Sequence, residues 1–168
     1  MQRRNLLKLG LGATIVLAAA GGGLALLRPG VVDGRLTPAG KTVFHAVARA
    51  VLDGSLPTEA AAREAAVVAH LKRLDDAVAA FPEATRRELS QLLALLASPP
   101  GRLGLAGLRS DWPDASIAEL QQSLEGMRTS ALPMRQQIYH ALRDLTNAAF
   151  YVDPQAWALM GYPGPRTV

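Results

Sequence analysis

Thr37-Pro-Ala-Gly-Lys-Thr-Val-Phe-His-Ala-Val-Ala-Arg-Ala-Val-Leu-Asp-Gly54 is the stretch from which the fold of this chain can be read. A threonine followed by a proline places an N-cap before a first helical residue whose fixed φ suits a helix start. Val43, Phe44, Val47, Val51 and Leu52 then recur at helical spacing, and Gly54 ends the run. The same grammar repeats downstream. After Pro57, Thr58-Glu59 opens a second, long helix whose apolar face is predicted to be Ala65, Val68, Leu71, Leu74 and Val78, ending near Phe81-Pro82. Pro82 in turn suits the first turn of a third helix bearing Leu89, Leu92, Leu93 and Leu96, stopped by Ser98-Pro99-Pro100-Gly101. Gly101, Gly104, Gly107 and Pro113 loosen residues 101–113 into an expected loop with at most one turn. Asp114 is expected to cap a fourth helix with Ile117, Leu120, Leu124 and Met127. A fifth, over about residues 132–150, carries Ile138, Leu142, Leu145 and Ala149 on one side. A short helix from Pro154 and an extended end rich in Pro, Gly and aromatic residues follow, and residues 31–36 read as a linker. No segment alternates with period two, so the expectation is all-α: a small bundle of about five helices and no sheet.

Upstream of this domain the chain has a different character. Arg3 and Arg4 are followed by Asn5, Leu6, Leu7 and Lys8, and then by the uncharged residues 9–27, rich in Gly and Ala and closed by Arg28-Pro29-Gly30. A charged start, an apolar middle and a break make the three-part layout of an export signal. Arg3, Arg4, Leu6, Leu7 and Lys8 resemble the twin-arginine translocation motif, with Gln2 a mild departure at the polar position before the arginines. Gly10, Gly12, Gly21, Gly22 and Gly23 argue against a packed soluble helix, each costing about 1 kcal/mol relative to alanine. Two fates stay open: cleavage near Ala18-Ala19-Ala20, which is favoured, or retention as an inner-membrane anchor, because the apolar stretch just reaches the roughly 17 to 25 residues that span a bilayer. Residues 1–30 are therefore assigned to a signal peptide or anchor that contacts the membrane, and residues 31–168 to a helical domain expected in the periplasm.

The 168 residues, 49% of them hydrophobic, fit one domain plus this extension. The net charge of +4 invites a nucleic-acid reading, but four of the 18 basic residues, Arg3, Arg4, Lys8 and Arg28, precede the first acid, Asp33. The remaining 14 balance the 14 acids, so the domain itself is neutral. Binding to nucleic acid draws its affinity from clustered Lys and Arg, and that class is set aside. Cysteine is absent, which excludes disulfides, thiolate metal ligation, covalently attached haem and a cysteine nucleophile.

No constellation for catalysis emerges. His45, His70 and His140 are far apart, and His140 with Asp144 is the one pair at helical ligand spacing; all three are read as surface hydrogen-bonding groups rather than ligands. Asp75-Asp76 and the stretch holding Glu83 and Glu88 read as solvated helix faces. Phosphate-cradling and nucleophile-elbow motifs are missing. No catalytic, cofactor-binding or metal residue is assigned. The C-terminal aromatics do stand out: Phe150, Tyr151, Trp157 and Tyr162 are half of all the aromatic residues. Phe150 and Trp157 suit the bottom of the bundle, whereas Tyr162 lies in a proline-stiffened Gly-Tyr-Pro-Gly-Pro end suited to docking at low entropic cost. Tyr151, Trp157, Tyr162, Pro163 and Pro165 are the expected partner-binding residues.

Leu142-Arg-Asp-Leu-Thr-Asn-Ala-Ala-Phe-Tyr151 and Asp153-Pro-x-x-Trp-x-x-x-Gly-Tyr-Pro-Gly-Pro165, following a twin-arginine leader, resemble the gluconate 2-dehydrogenase subunit 3 type family, which includes the gamma subunits of FAD-dependent glucose and sorbitol dehydrogenases. The likeness lies in residues 1–30 and about 135–165; the middle agrees in being helical. What the resemblance implies is a non-catalytic small subunit that lends its export signal to a large flavoprotein dehydrogenase of the glucose-methanol-choline type. FAD belongs to that partner and no cofactor to this chain. The twin-arginine translocase is then a second partner, and a cytochrome subunit a further candidate. A free-standing periplasmic helical protein, structural or ligand-binding, is the alternative.

Overall fold

Thr37 caps the first long helix as the sequence requires: its Oγ1 accepts from the Gly40 amide at 3.4 Å, and Pro38 is the first helical residue. The computed structural model describes residues 27–159 and 161–164, so Arg3, Arg4, Leu6, Leu7, Lys8 and Pro165 lie outside the described residues. The described chain is mostly helical. A minimal hairpin, β1 (Val31–Val32) and β2 (Arg35–Leu36), precedes α1 (Pro38–Val51), α2 (Ala60–Ala79) and α3 (Glu83–Ala97). A helical turn, Pro99–Gly101, runs into a π-helical stretch, Arg102–Ala106, before α4 (Ile117–Arg128), α5 (Pro133–Tyr151) and the short α6 (Pro154–Leu159).

α1 packs against α2, α3, α4 and α5 and is buried on most of its circumference, with Val43, Phe44, Ala46, Val47 and Ala48 inside. Leu74 and Val78 of α2, Leu93 and Leu96 of α3, Leu120 and Met127 of α4 and Leu142 of α5 close around it. Side chains of this size contribute roughly 1.5–3 kcal/mol each on full burial. With no disulfide available, this core holds the domain.

The segment expected to be a linker is the hairpin. Val31 pairs with Leu36 and Val32 with Arg35, and Asp33 and Gly34 both take positive φ, 50° and 74°, as a two-residue turn matched to strand twist requires. Strands two residues long show no alternation; the Asp-Gly pair was the available signal. Gly30 is wedged between helices, since a Cβ there would stand 2.3 Å from Cβ of Leu93 and 2.9 Å from the Ser90 carbonyl oxygen. Its amide donates to that carbonyl at 3.1 Å, its own carbonyl accepts from Thr37, and Thr37 Oγ1 donates to the Pro29 carbonyl at 2.8 Å. Ser90 Oγ accepts from the Val31 amide and donates to its carbonyl, both at 3.0 Å.

On α2 the expected face holds at Leu71, Leu74 and Val78 and departs at Ala65 and Val68, which are exposed. Val67 is fully buried and Val68 is 55% exposed, because His70 and Asp75 turn inward beside Leu71 and Leu74. Asp75 is no solvated carboxylate. It accepts from the Leu36 amide at 2.7 Å and pairs with Lys41 at 3.3 Å, fastening β2 to α2 and α1, whereas Asp76 remains exposed as expected.

Residues 101–113 are packed structure and no solvent loop. The Arg102 guanidinium, nearly buried, donates to the carbonyls of Leu108, Arg109 and Ser110 and pairs with Asp111 at 2.8 Å. Arg135 reaches the Leu105 carbonyl at 2.8 Å, and Ser123 that of Ala106 at 2.8 Å. With its carbonyls thus satisfied the segment can be buried. It lends Ala106, Leu108 and Trp112 to the core, and the Trp112 indole donates to the Leu96 carbonyl at 2.8 Å. Gly107, in the left-handed conformation, closes the π stretch. The cap of α4 is Ser116 and not Asp114: Ser116 Oγ accepts from the Glu119 amide while the Glu119 carboxylate accepts from the Ser116 amide, a reciprocal capping box.

Candidate partner-binding site

Helical periodicity turns consecutive aromatic residues in different directions at the end of α5. Phe150 points inward and packs on a small cluster made by Ala48, Leu52 and Val67, while Tyr151, its ring 5.4 Å from that of Phe150 and edge-on to it, is 44% exposed. Val152 follows at 68% exposure. Arg73, from α2, fixes the corner where α5 gives way to α6: its Nε donates to the Ala149 carbonyl at 3.0 Å and its Nη1 pairs with Asp153 at 3.1 Å.

Trp157 is the post of the tail. Its indole N–H donates to the Tyr151 carbonyl at 2.8 Å, and its own carbonyl accepts from the Tyr162 amide at 3.0 Å. The rings of Trp157 and Tyr162 meet edge to face at 5.7 Å. Gly161, at φ 66°, reverses the chain, and Gly164 lies so close to the indole that a Cβ would stand 3.3 Å from Cζ3. The described part of the tail is therefore a tight return onto Trp157, in contrast to the extended end expected. Tyr162, 49% exposed, and Pro163 are presented on this return.

The structure thus gathers Tyr151, Trp157, Tyr162 and Pro163 into one corner, with Trp157 half-buried as support and the other three exposed. Val152 belongs to the same surface and was missed, because helical spacing says nothing about the first residue beyond a helix. Arg73 was missed as well, since a lone arginine on a long helix carries no sequence sign of the carbonyl it holds. Tyr151, Val152, Tyr162 and Pro163 carry no charge, so the surface suits an apolar protein face with acceptors for two phenol hydroxyls.

The histidines divide. His45 meets Glu64 at 3.0 Å near the surface, and His140 is exposed with its ring against Tyr139, while Asp144 pairs with Arg143 at 2.9 Å rather than with His140. His70 departs from the surface expectation. It is fully buried, neither ring nitrogen has a hydrogen-bond partner, and burial, then the neighbouring Arg73 charge, lowers its pKa to about 4. Among the described residues no three His, Cys, Asp or Glu side chains group as a metal site. An open cleft of about 540 Å³ lies between the hairpin and α3, lined by Asp33, Glu83, Arg86, Arg87 and Gln91 among others. Among the described residues no helix is long and apolar enough to cross a membrane. No family model, no curated protein and no solved structure matches the chain.

Proposed function

We propose that this chain is the non-catalytic small subunit of an exported FAD-dependent alcohol or sugar dehydrogenase, and that it supplies the twin-arginine signal and assists maturation of the flavin-binding subunit. One observation supports the reading above the others: the exposed aromatic residues Tyr151 and Tyr162 are held in fixed geometry around Trp157 on a neutral helical domain whose sequence follows an export-type leader. Pre-ordering of Tyr151 and Tyr162 lowers the entropic cost of docking, the requirement for a small surface to bind with useful affinity. The leader then serves both polypeptides, because the twin-arginine route carries folded cargo. FAD chemistry belongs to the partner. In this reading the complex resides in the periplasm, at the inner membrane if residues 9–27 are retained.

Co-purification of the full-length chain with a C-terminal tag from its native host tests this directly, with visible absorbance and mass spectrometry on the eluate. The expected result is a yellow complex with a large flavoprotein lacking a signal of its own. A colourless single chain would overturn the proposal in favour of a free-standing periplasmic helical protein.

A further inference from the structure

The chain contains two Asp-Gly pairs, Asp33-Gly34 and Asp53-Gly54. In this dipeptide a side-chain carboxyl group stands beside an amide that no side chain shields. The fold treats the two pairs differently. Asp33-Gly34 is the turn of the hairpin: both residues are held at positive φ, and the pairing of Val32 with Arg35 and of Val31 with Leu36 closes behind them. Gly34 is also buried, with Cα of Ala79 at 3.4 Å and the Arg86 guanidinium at 3.7 Å from where a Cβ would stand. Asp53-Gly54 lies in the turn that follows α1, closed by one bond from the Ser55 amide to the Leu52 carbonyl at 2.9 Å. Asp53, Gly54 and Ser55 are all exposed, and Gly54 stands at φ 80°. Apart from its chain neighbours, no described atom comes within 4 Å of the place a Cβ of Gly54 would take. The Gly54 amide donates to no described residue, and the Asp53 carboxylate has one long contact, at 3.4 Å from Gln121 Nε2.

We propose that Asp53 is a site of spontaneous isoaspartate formation in the folded protein, and that the hairpin protects Asp33 from the same reaction. The Gly54 nitrogen attacks Cγ of the Asp53 carboxyl group; an N–Cγ bond forms, and the amide hydrogen leaves with the carboxyl OH as water. A solvent water molecule then opens the five-membered succinimide. Addition at Cγ restores aspartate, whereas addition at the Asp53 main-chain carbonyl breaks its bond to nitrogen and leaves the chain running through the side chain. One water is lost and one regained and nothing is oxidised, so the product is an isomer of equal mass. The attack requires the Asp53–Gly54 peptide to turn about its flanking bonds. A surface turn with one closing bond permits that motion, while at Gly34 it must first open the strand pairing and the packing on Ala79. The product lengthens the main chain by one carbon between Leu52 and Ser55 and exposes a new α-carboxylate. It also withdraws the old carboxylate from Gln121, whose amide reaches the Ala50 carbonyl as well and so ties the end of α1 to α4. This inference does not depend on the function proposed above.

The purified full-length chain is warmed at neutral pH, well below its unfolding transition, and a second sample is kept in concentrated urea. An isoaspartyl-specific carboxyl methyltransferase with labelled S-adenosylmethionine counts the new α-carboxylates, and electron-transfer fragmentation of tryptic peptides assigns them to position 33 or 53. The expected result is isoaspartate at position 53 in the folded sample, forming about tenfold faster than at position 33, with comparable rates at the two positions in urea. Asp53→Glu, which keeps the charge but enlarges the ring that must close, is expected to remove most of the methyl incorporation from the folded sample. Isoaspartate at position 53 in urea but not in the folded chain would overturn the proposal, as would equal rates at the two positions while folded. The same contrast persisting in urea would show that it is set by neighbouring residues and not by the fold. Undiminished incorporation in Asp53→Glu would place the reactive site elsewhere.

Discussion

His70 brings a titratable ring into the core with both nitrogens unpartnered, close to the Arg73 charge, and Thr146 Oγ1 is likewise buried without a partner. Burying polar groups in this way is tolerable only while the imidazole is neutral. The unfolded imidazole titrates near 6.5 and the folded one near 4, so the unfolded chain takes up the proton first as pH falls. The stability this contributes is complete above pH 6.5 and is lost progressively toward pH 4, amounting to about 3 kcal/mol at most. Urea unfolding at pH 7 and pH 4.5 should therefore show a larger loss in the natural protein than in His70→Leu; equal losses would refute the effect. Tyr162 makes the opposite case, since half of its surface faces out and its ring rests on Trp157. Tyr162→Ala is expected to leave the melting temperature nearly unchanged and to weaken partner binding by more than about 1 kcal/mol, measured as retention in co-purification. Undiminished retention would reassign it to a passive tail.

Secondary elements were legible in the sequence to the extent that their signals are local. Thr37-Pro38, the proline stops and the leucine spacing of α3 and α5 are contained within a turn or two of helix, and they placed the long helices. What escaped depends on contacts across the fold. The buried face of α2 widens to take in His70 and Asp75, and Asp75 goes inside because an amide and a lysine 39 and 34 positions away meet it there. Three glycines and a proline in residues 101–113 announce a loop, but a buried arginine and a distant tryptophan acceptor make that segment part of the core. The cap of α4 was misplaced by two residues because Asp114 and Ser116 are both good caps, and Glu119 at the third helical position decides for serine. Ser116→Ala should cost about 1 kcal/mol in chemical denaturation, and Asp114→Ala less than about 0.5 kcal/mol. The reverse order would mean that the helix begins earlier than observed. For the site, the aromatic cluster was evident from composition, while the return of the tail onto Trp157 was not, since it rests on one backbone hydrogen bond and two glycine conformations.

For the molecule as a whole, the bonds among the described residues begin at Pro29, whose carbonyl accepts from Thr37 Oγ1. Removal of residues 1–28 should leave a cooperative domain that keeps its hairpin and helices and, on the function proposed above, strand both the chain and the flavoprotein partner in the cytoplasm. Continued export of the flavoprotein would contradict the accessory role. Removal of residues 1–36 discards the hairpin together with its bonds to Ser90 and Asp75, and a lower denaturation midpoint is expected. Identical midpoints for the two truncations would show that the hairpin contributes nothing.

The bonds between Val31 and Ser90 join positions 59 residues apart. During synthesis the amino-terminal end leaves the ribosome first, yet its junction cannot lock until the chain has been made through Ser90 and Leu93 and α3 has formed. Closure of that junction thus waits on α3 but not on α4 or α5, which are made later, and its rigidity marks a chain whose third helix is already in place.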